Sequence, residues 1–319
     1  MKTPSFWQSD NRISNSLMPL AKLYGLISTL KQHLARPVAT SVPVICVGNL
    51  TAGGAGKTPV ALLIGGILTT KKLDAFFLSR GYGGMVKGPL LVDPNFHTAR
   101  EVGDEPLLLA RVLPTVISAD RIKGAKYAIE QGAKIIVMDD GFQNTSIQKT
   151  LSLLVIDGEI GFGNGRLLPA GPLRELPEAG FKRADAVIVI NSSDATPILP
   201  EGMLRLDASI RAANGAFPPG KKLLAFCGLA YPQKFFDTLR SLGAEIVETV
   251  SFPDHYDYRS GDMKNLSDKA LRHKATLVTT AKDAVRLAPE WRSLVTVVDI
   301  TLEIEEPERL TALLEKALA

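Results

Sequence analysis

Residues 42 to 59 read Val-Pro-Val-Ile-Cys-Val-Gly-Asn-Leu-Thr-Ala-Gly-Gly-Ala-Gly-Lys-Thr-Pro. A short apolar run, Val42 to Val47, has the length of a buried strand. A glycine-rich turn follows from Thr51 to Gly56, then an apolar stretch from Thr58 to Leu68 at helical spacing, with Pro59 at its start, where proline is tolerated. Strand, loop and helix in that order are the context a phosphate-binding loop requires. Successive glycines let backbone N–H groups point at one anion, and the helix adds its positive end. Lys57 is then placed to reach the β and γ phosphates of ATP, and Thr58 to offer its hydroxyl to Mg²⁺. The nucleotide loop is expected over Thr51, Ala52, Gly53, Gly54, Ala55, Gly56, Lys57 and Thr58. Thr51 stands where the common pattern has glycine.

Outward from this loop, Ala75 to Ser79, Ile135 to Met138, Leu153 to Ile156 and Ala186 to Ile190 read as further strands, and Glu105 to Val112 as a helix. Alternating units predict an α/β fold, a P-loop-containing parallel sheet with helices on both faces. Prolines 197, 200, 218 and 219 interrupt the pattern between Ala195 and Gly220, as interdomain segments do. The pattern resumes with strands at Leu223 to Phe226, Glu245 to Val250, Thr276 to Thr280 and Val295 to Ile300. It also gives a helix around Phe235 to Leu242 and a closing helix from Pro307. Two domains are expected, residues 1–205 and a smaller α/β domain at 206–319.

Ahead of the first strand, Leu20, Leu23, Tyr24, Ile27, Leu30 and Leu34 recur at helical spacing, which predicts an amphipathic helix over about residues 14–35. Its apolar face suits either packing on its own domain or lying in a membrane interface.

The bulk properties bound the rest. A chain of 319 residues with 45% hydrophobic and 22% charged residues buries a substantial core, which excludes disorder and a multi-span membrane protein. A formal charge of +4 is too small to argue for a nucleic-acid partner, but suits an anionic substrate or surface. Cys46 and Cys227 lie far apart in apolar runs, which predicts buried free thiols in a reducing, cytoplasmic compartment. No signal peptide is evident, and no run reaches the ~18 uncharged residues of a membrane span.

Several motifs carry chemistry. Ile135 to Met138 delivers Asp139 and Asp140 at a strand's C-terminal end, where ligands of open α/β sheets bind. Asp139 is the candidate Mg²⁺ contact beside Thr58, directly or through the ion's outer sphere. Gly103-Asp104-Glu105-Pro106 puts acids at a helix start, where they favour the helix dipole; Asp104 is also a candidate base for a substrate hydroxyl. The proline-bounded loop Leu167 to Glu175, after Gly161 to Gly165, presents Arg166 and Arg174 for anionic groups. Ser79-Arg80-Gly81-Tyr82-Gly83-Gly84 is a flexible turn with an arginine and an aromatic ring, suited to substrate contact or closure. Farther on, Phe252-Pro253-Asp254-His255-Tyr256 sets a histidine beside an acid, and Thr279-Thr280-Ala281-Lys282-Asp283 follows a strand.

In order, Gly48 to Thr51 running into Gly53 to Pro59, Leu78 to Gly83, Gly103 to Pro106, Asp139 to Gln143, Leu168 to Glu175 and Phe252 to His255 closely resemble the tetraacyldisaccharide 4′-kinase family. The resemblance spans most of the chain. It implies two α/β/α domains with the site in the cleft between them. The implied reaction is phosphorylation of the 4′ hydroxyl of the lipid A disaccharide precursor, with ATP and Mg²⁺, at the cytoplasmic face of the inner membrane of Gram-negative bacteria. By the same resemblance Asp104 is the base, assisted by His255, with Lys57 completing the catalytic set and Asp139 and Asp140 on the metal side. Arg80, Tyr82, Gln143, Arg174 and Glu175 are implied substrate-side positions, and the N-terminal helix a membrane contact. A glycolipid partner and a monomer follow as expectations. One departure is Asn144, where the family often has histidine.

A membrane-surface ATPase switch of the partitioning type is the competing class. Those proteins place a signature lysine directly before the glycine pair, where this chain has Ala52.

Overall fold

The computed structural model describes residues 4–212 and 220–318. The strands of the larger sheet are, in chain order, β1 (Val44–Gly48), β2 (Ala75–Ser79), β3 (Leu90–Leu91), β4 (Thr115–Ile117), β5 (Ile135–Asp139), β6 (Leu151–Asp157), β7 (Ala186–Ile190) and β8 (Arg205–Ala212). Those of the smaller sheet are β9 (Lys222–Cys227), β10 (Glu245–Ser251), β11 (Thr276–Thr280) and β12 (Thr296–Val298). The last strand, β13 (Ile300–Ile304), returns to the larger sheet.

The larger sheet has nine strands in the order β13-β8-β7-β6-β1-β5-β2-β4-β3, and the smaller has four, β10-β9-β11-β12. Pairing is parallel except at the margins, where β13 runs against β8 and β3 against β4. β1, β2, β5 and β7 are buried along their whole length, which is why they read as unbroken apolar runs rather than as alternation. Alternate residues still part to the two faces. Ile45, Val47 and Val137 pack with Val60, Ile64 and Leu68 of the helix Lys57–Thr70 and with Leu310 and Leu314 of the helix Pro307–Leu318. Val44, Ile136 and Met138 pack on the opposite face against Ala125 and Ala128 of the helix Arg121–Glu130.

Two regions differ from the sequence reading. Arg205–Ala212 is a strand, not part of a connecting segment. It alternates, with Leu206 and Ala208 in the core, while part of the connecting segment falls on residues outside those described. The apolar stretch near residue 295 is two strands, not one. Thr296–Val298 belongs to the small sheet, whereas Ile300–Ile304 pairs with β8. Hydrogen bonding therefore assigns residues near both ends of 206–319 to the larger sheet. The chain leaves that sheet after β8 and returns to it at β13.

The N-terminal helix spans Arg12–His33 and starts at Asn11, whose side chain accepts a hydrogen bond from the Ser14 amide at 2.9 Å. Its inner face lies on the loop before residue 175: Ser14 Oγ donates to Ala170 O at 2.6 Å, and Gln32 Nε2 donates to Glu175 at 3.0 Å. Ile13, Leu20, Leu23, Leu26, Ile27, Leu30 and Leu34 are exposed on its outside. No helix among the described residues is long and apolar enough to cross a membrane.

Candidate active site

The phosphate loop sits at the C-terminal end of β1, between β5 and β6. Gly56, just before the helix Lys57–Thr70, has φ +80°, and a Cβ there would lie 2.4 Å from Ile190 Cδ1; only glycine fits this turn. Gly53 and Gly54 are exposed at the loop's crest, while the Ala52 amide donates inward to Pro172 O at 2.7 Å. Thr51 bridges to Leu173, and the Arg174 amide donates to Leu50 O at 2.7 Å. The Leu167–Glu175 loop is thus a brace for the phosphate loop.

Register sets the acids. Val47 pairs with Asp139 across β1 and β5, which brings Asp139 Oδ2 to 3.4 Å from the Thr58 hydroxyl. Asp139 is buried and its Oδ1 has no hydrogen-bond partner. Burial first, then the charges of Glu105 and Asp140, push its carboxyl well above the ordinary range, against the pull of Lys57 and Thr58. Asp140 follows in a left-handed turn at φ 52°. Burial would raise its carboxyl, but Lys57 and Arg174 outweigh that and hold it low. Lys57 Nζ is 3.7 Å from Asp140 Oδ1, and Arg174 donates to the same oxygen at 2.9 Å.

Gln143 and Glu175, expected on the substrate side, form a part-buried brace behind these acids. Gln143 donates to Asn49 O at 2.7 Å and to Glu175 at 3.0 Å, and accepts from Arg174 at 3.1 Å. Glu175 is buried and accepts from Gln32, Gln143 and Arg183. Asn144 closes a turn, accepting from the amide and hydroxyl of Ser146 at 3.2 and 3.0 Å. Arg166 turns instead to the N-terminal helix, where it meets Asp10 and Asn15.

Asp104 opens the short helix Asp104–Leu109 after Gly103, whose φ of +91° brings its α-carbon so close to Tyr82 O that a Cβ would sit 2.5 Å away. Across from it, His255 is held at φ 57°, and its Nδ1 lies 3.0 Å from Asp104 Oδ2. Left-handed backbone in a non-glycine residue is uncommon, and both Asp140 and His255 adopt it at the site. Asp104 is 3% exposed, whereas the His255 side chain is 29% exposed and meets the edge of the Tyr82 ring at 5.5 Å between centroids. Arg80 is exposed at the end of β2.

Two arginines carry no motif and were not anticipated. Arg121 is buried, donates to Ser118 O at 2.6 Å, and feels Arg80, Asp139 and Asp140; burial and the Arg80 charge lower it to about 10. Arg286 bonds Asp104 from the second sheet's side. Lys282 joins it there, 3.2 Å from Glu105. Cys46 and Cys227 are buried free thiols.

A glycine loop between a buried strand and a helix N-terminus, flanked by an acidic strand end and faced by an Asp–His pair, defines a P-loop enzyme of the phosphoryl-transfer class. The sequence profile described as Tetraacyldisaccharide-1-P 4'-kinase matches residues 13–319. Tetraacyldisaccharide 4'-kinase of Rhodospirillum rubrum is 45% identical over 100% of this chain and 98% of its own length. The protein of the same name from Paramagnetospirillum magneticum is 44% identical over 99% and 98%. A crystal structure of LpxK from Aquifex aeolicus in complex with ATP matches with a TM-score of 0.80 at 30% identity, covering 96% of this chain and 100% of that one. The chain belongs to the tetraacyldisaccharide-1-P 4′-kinase family. Membership disfavours the partitioning-type switch.

Proposed function

We propose that this chain transfers the γ-phosphate of ATP to the 4′ hydroxyl of tetraacyldisaccharide 1-phosphate, the lipid A precursor, while resting on the cytoplasmic face of the inner membrane. The observation that carries it is the packing of the helix Asp104–Leu109, which bears the Asp104–His255 contact at 3.0 Å, against the phosphate-loop helix Lys57–Thr70.

The phosphate loop cradles the triphosphate, with Lys57 drawn to the β and γ phosphates. Its present bond to Asp140 is long at 3.7 Å, and Asp140 keeps Arg174 at 2.9 Å when Lys57 leaves, so releasing the lysine strands no charge. Thr58, Asp139 and Asp140 supply oxygen donors that suit a hard divalent cation, and the partnerless buried Oδ1 of Asp139 fits that role. Mg²⁺ held there would offset charge on the phosphates.

Phosphoryl transfer asks the protein mainly for positioning, charge neutralisation and a proton acceptor. The hydroxyl proton goes to the Asp104–His255 pair. Oδ2 of Asp104 already takes His255 and Arg286, and Oδ1 takes the Glu105 amide at 2.9 Å. His255 is the partly exposed member, so Asp104 acts chiefly by orienting and balancing the imidazole. Arg80 and Tyr82, both exposed, are read as substrate contacts, with the buried Arg121 behind them near Asp139 and Asp140.

Apolar side chains on the outside of the helix Arg12–His33, a helix with no acidic residue, support seating on an anionic lipid surface. Incubating the protein with labelled ATP, Mg²⁺ and the disaccharide lipid, then locating the transferred phosphate, tests the reading. Label on any position other than the 4′ oxygen, or hydrolysis indifferent to the lipid, refutes it.

A further inference from the structure

The second sheet's side grips Asp104 twice, and only His255 is accounted for by proton transfer. Arg286, two residues beyond the short helix Ala281–Ala284, has a side chain 6% exposed. Its Nε donates to Asp104 Oδ2 at 2.9 Å and its Nη2 to the same oxygen. Nη1 donates to Gly228 O and to Asp283 Oδ1, both at 3.1 Å. Asp283, fully buried, is in turn held by Tyr258 OH at 2.7 Å, the Gly228 amide at 2.8 Å and the Thr280 hydroxyl at 2.6 Å.

A chain of buried charges is poor value for stability alone, because apolar residues of similar size commonly do as well or better. What it does supply is geometry: a planar guanidinium fixed at one end by a second carboxylate leaves the first carboxylate a single orientation. Resting on the reading of Asp104 and His255 as the proton-accepting pair, we propose that Arg286, anchored by Asp283, is a positioning residue that fixes the Asp104 carboxylate against His255. Three residues of the motif Thr279 to Asp283 then take part: the Thr280 hydroxyl holds the Asp283 carboxylate, that carboxylate anchors the arginine, and Lys282 pairs with Glu105 beside Asp104.

Electrostatics point the same way. Burial would raise the Asp104 carboxyl; the His255 hydrogen bond and the cations of Lys282 and Arg286 outweigh it and hold the group far below the ordinary range. Other charges facing the pair are Glu105 on its own helix, Asp254 beside His255 at 3.8 Å, and Asp283 behind the arginine. Removing Arg286 takes away one lowering cation, so protonation of Asp104 begins at higher pH and the acid limb of the rate profile moves up.

The test compares wild type with Arg286→Ala, Arg286→Lys and Asp283→Asn, using ATP, Mg²⁺ and the disaccharide lipid. For Arg286→Ala, kcat falls about 100-fold, the scale of a misplaced catalytic group, and KM for ATP stays within about twofold. Its acid limb shifts to higher pH, and added guanidinium ion restores turnover several-fold. Arg286→Lys lies between, keeping the charge without the fork. Asp283→Asn, which changes no volume, shows a smaller kcat loss in the same direction and serves if the alanine variant does not fold. An unshifted acid limb with no guanidinium rescue, or a loss seen in KM or melting temperature alone, overturns the proposal. Full turnover by Asp104→Ala would instead sink the underlying proton-acceptor reading, whatever the Arg286 variants do.

Discussion

Replacing Leu23, Ile27 and Leu30 together by glutamine tests the outward face of the N-terminal helix. These side chains leave 54, 58 and 56% of themselves exposed. Removing a whole Leu or Ile side chain from water is worth about 1.5–3 kcal/mol. Seating the outward half of each in lipid is therefore worth about 1 kcal/mol, and the three about 3 kcal/mol. At about 1.4 kcal/mol per factor of ten, partitioning onto vesicles should fall about 100-fold. Glutamine is nearly as good a helix former as leucine, and the replaced groups already face solvent, so stability should stay within about 0.5 kcal/mol. Co-sedimentation with sucrose-loaded anionic vesicles reads the partitioning, and turnover on detergent-dispersed lipid serves as the control. Wild-type partitioning by the triple variant, with its helix intact by circular dichroism, refutes the membrane role of this face.

Lys57→Ala should cut phosphate transfer at least about 100-fold, the scale of losing one fixed donor to developing charge. Calorimetry should show little change in melting, since Asp140 keeps Arg174 at 2.9 Å. Asp139→Asn should stabilise the metal-free protein at pH 8 by about 1–3 kcal/mol, because it removes a buried charge with a partnerless oxygen. The sign follows from the raised carboxyl: its folded form binds a proton more tightly than the unfolded chain, so stability is lost as pH climbs out of the ordinary carboxylate range. The gap between variant and wild type should close near pH 4, and Mg²⁺ should raise the melting temperature of wild type alone; an equal response in the variant counts against the metal role. Glu175→Ala should cost about 2 kcal/mol by leaving Arg183, Gln32 and Gln143 without their shared acceptor. That corresponds to a melting drop of about 4–8 °C, and an unchanged melting temperature removes the structural role assigned to it.

The larger sheet was legible where burial on both faces makes a strand a continuous apolar word, as in Ile135–Asp139 or Ala186–Ile190. It was not legible at Arg205–Ala212, where polar residues alternate with apolar ones beside prolines and the pattern looks like a connection. Nor could local pattern separate Thr296–Val298 from Ile300–Ile304. The division depends on which distant strand each one meets, and β8 lies some ninety residues before β13. The phosphate loop and Asp139 could be read from the residues because strand, turn and helix are local. The Asp104–His255 pair spans 151 residues, so it was reached through the family's motifs rather than by spacing. Arg121 and Arg286 had no such signal. An isolated arginine reads as solvated surface until tertiary structure supplies the carboxylate or carbonyl it meets.

The segment Leu167–Glu175 joins the parts of the molecule that the sequence presents as separate. Its one side receives the N-terminal helix, through Ser14 on Ala170 at 2.6 Å, Gln32 on Glu175 at 3.0 Å, and Gly25, where a Cβ would lie 2.6 Å from Leu167 Cδ1. Its other side receives the phosphate loop, through Ala52 on Pro172 and Arg174 on Leu50, both at 2.7 Å. On the proposed seating of the helix on lipid, this proline-bounded brace would fix the height of Lys57 and Asp139 above the surface. A soluble acceptor would place no demand on that height. An acceptor hydroxyl carried on a membrane-held disaccharide does, because its own height is set by its acyl chains, and an error of about 1 Å in placing a reacting group can cost about 100-fold in rate. On the proposed membrane seating, the brace ties the helix with the exposed apolar face to the chemistry, and gives a reason for bonding the nucleotide loop to the segment on whose far side that helix lies.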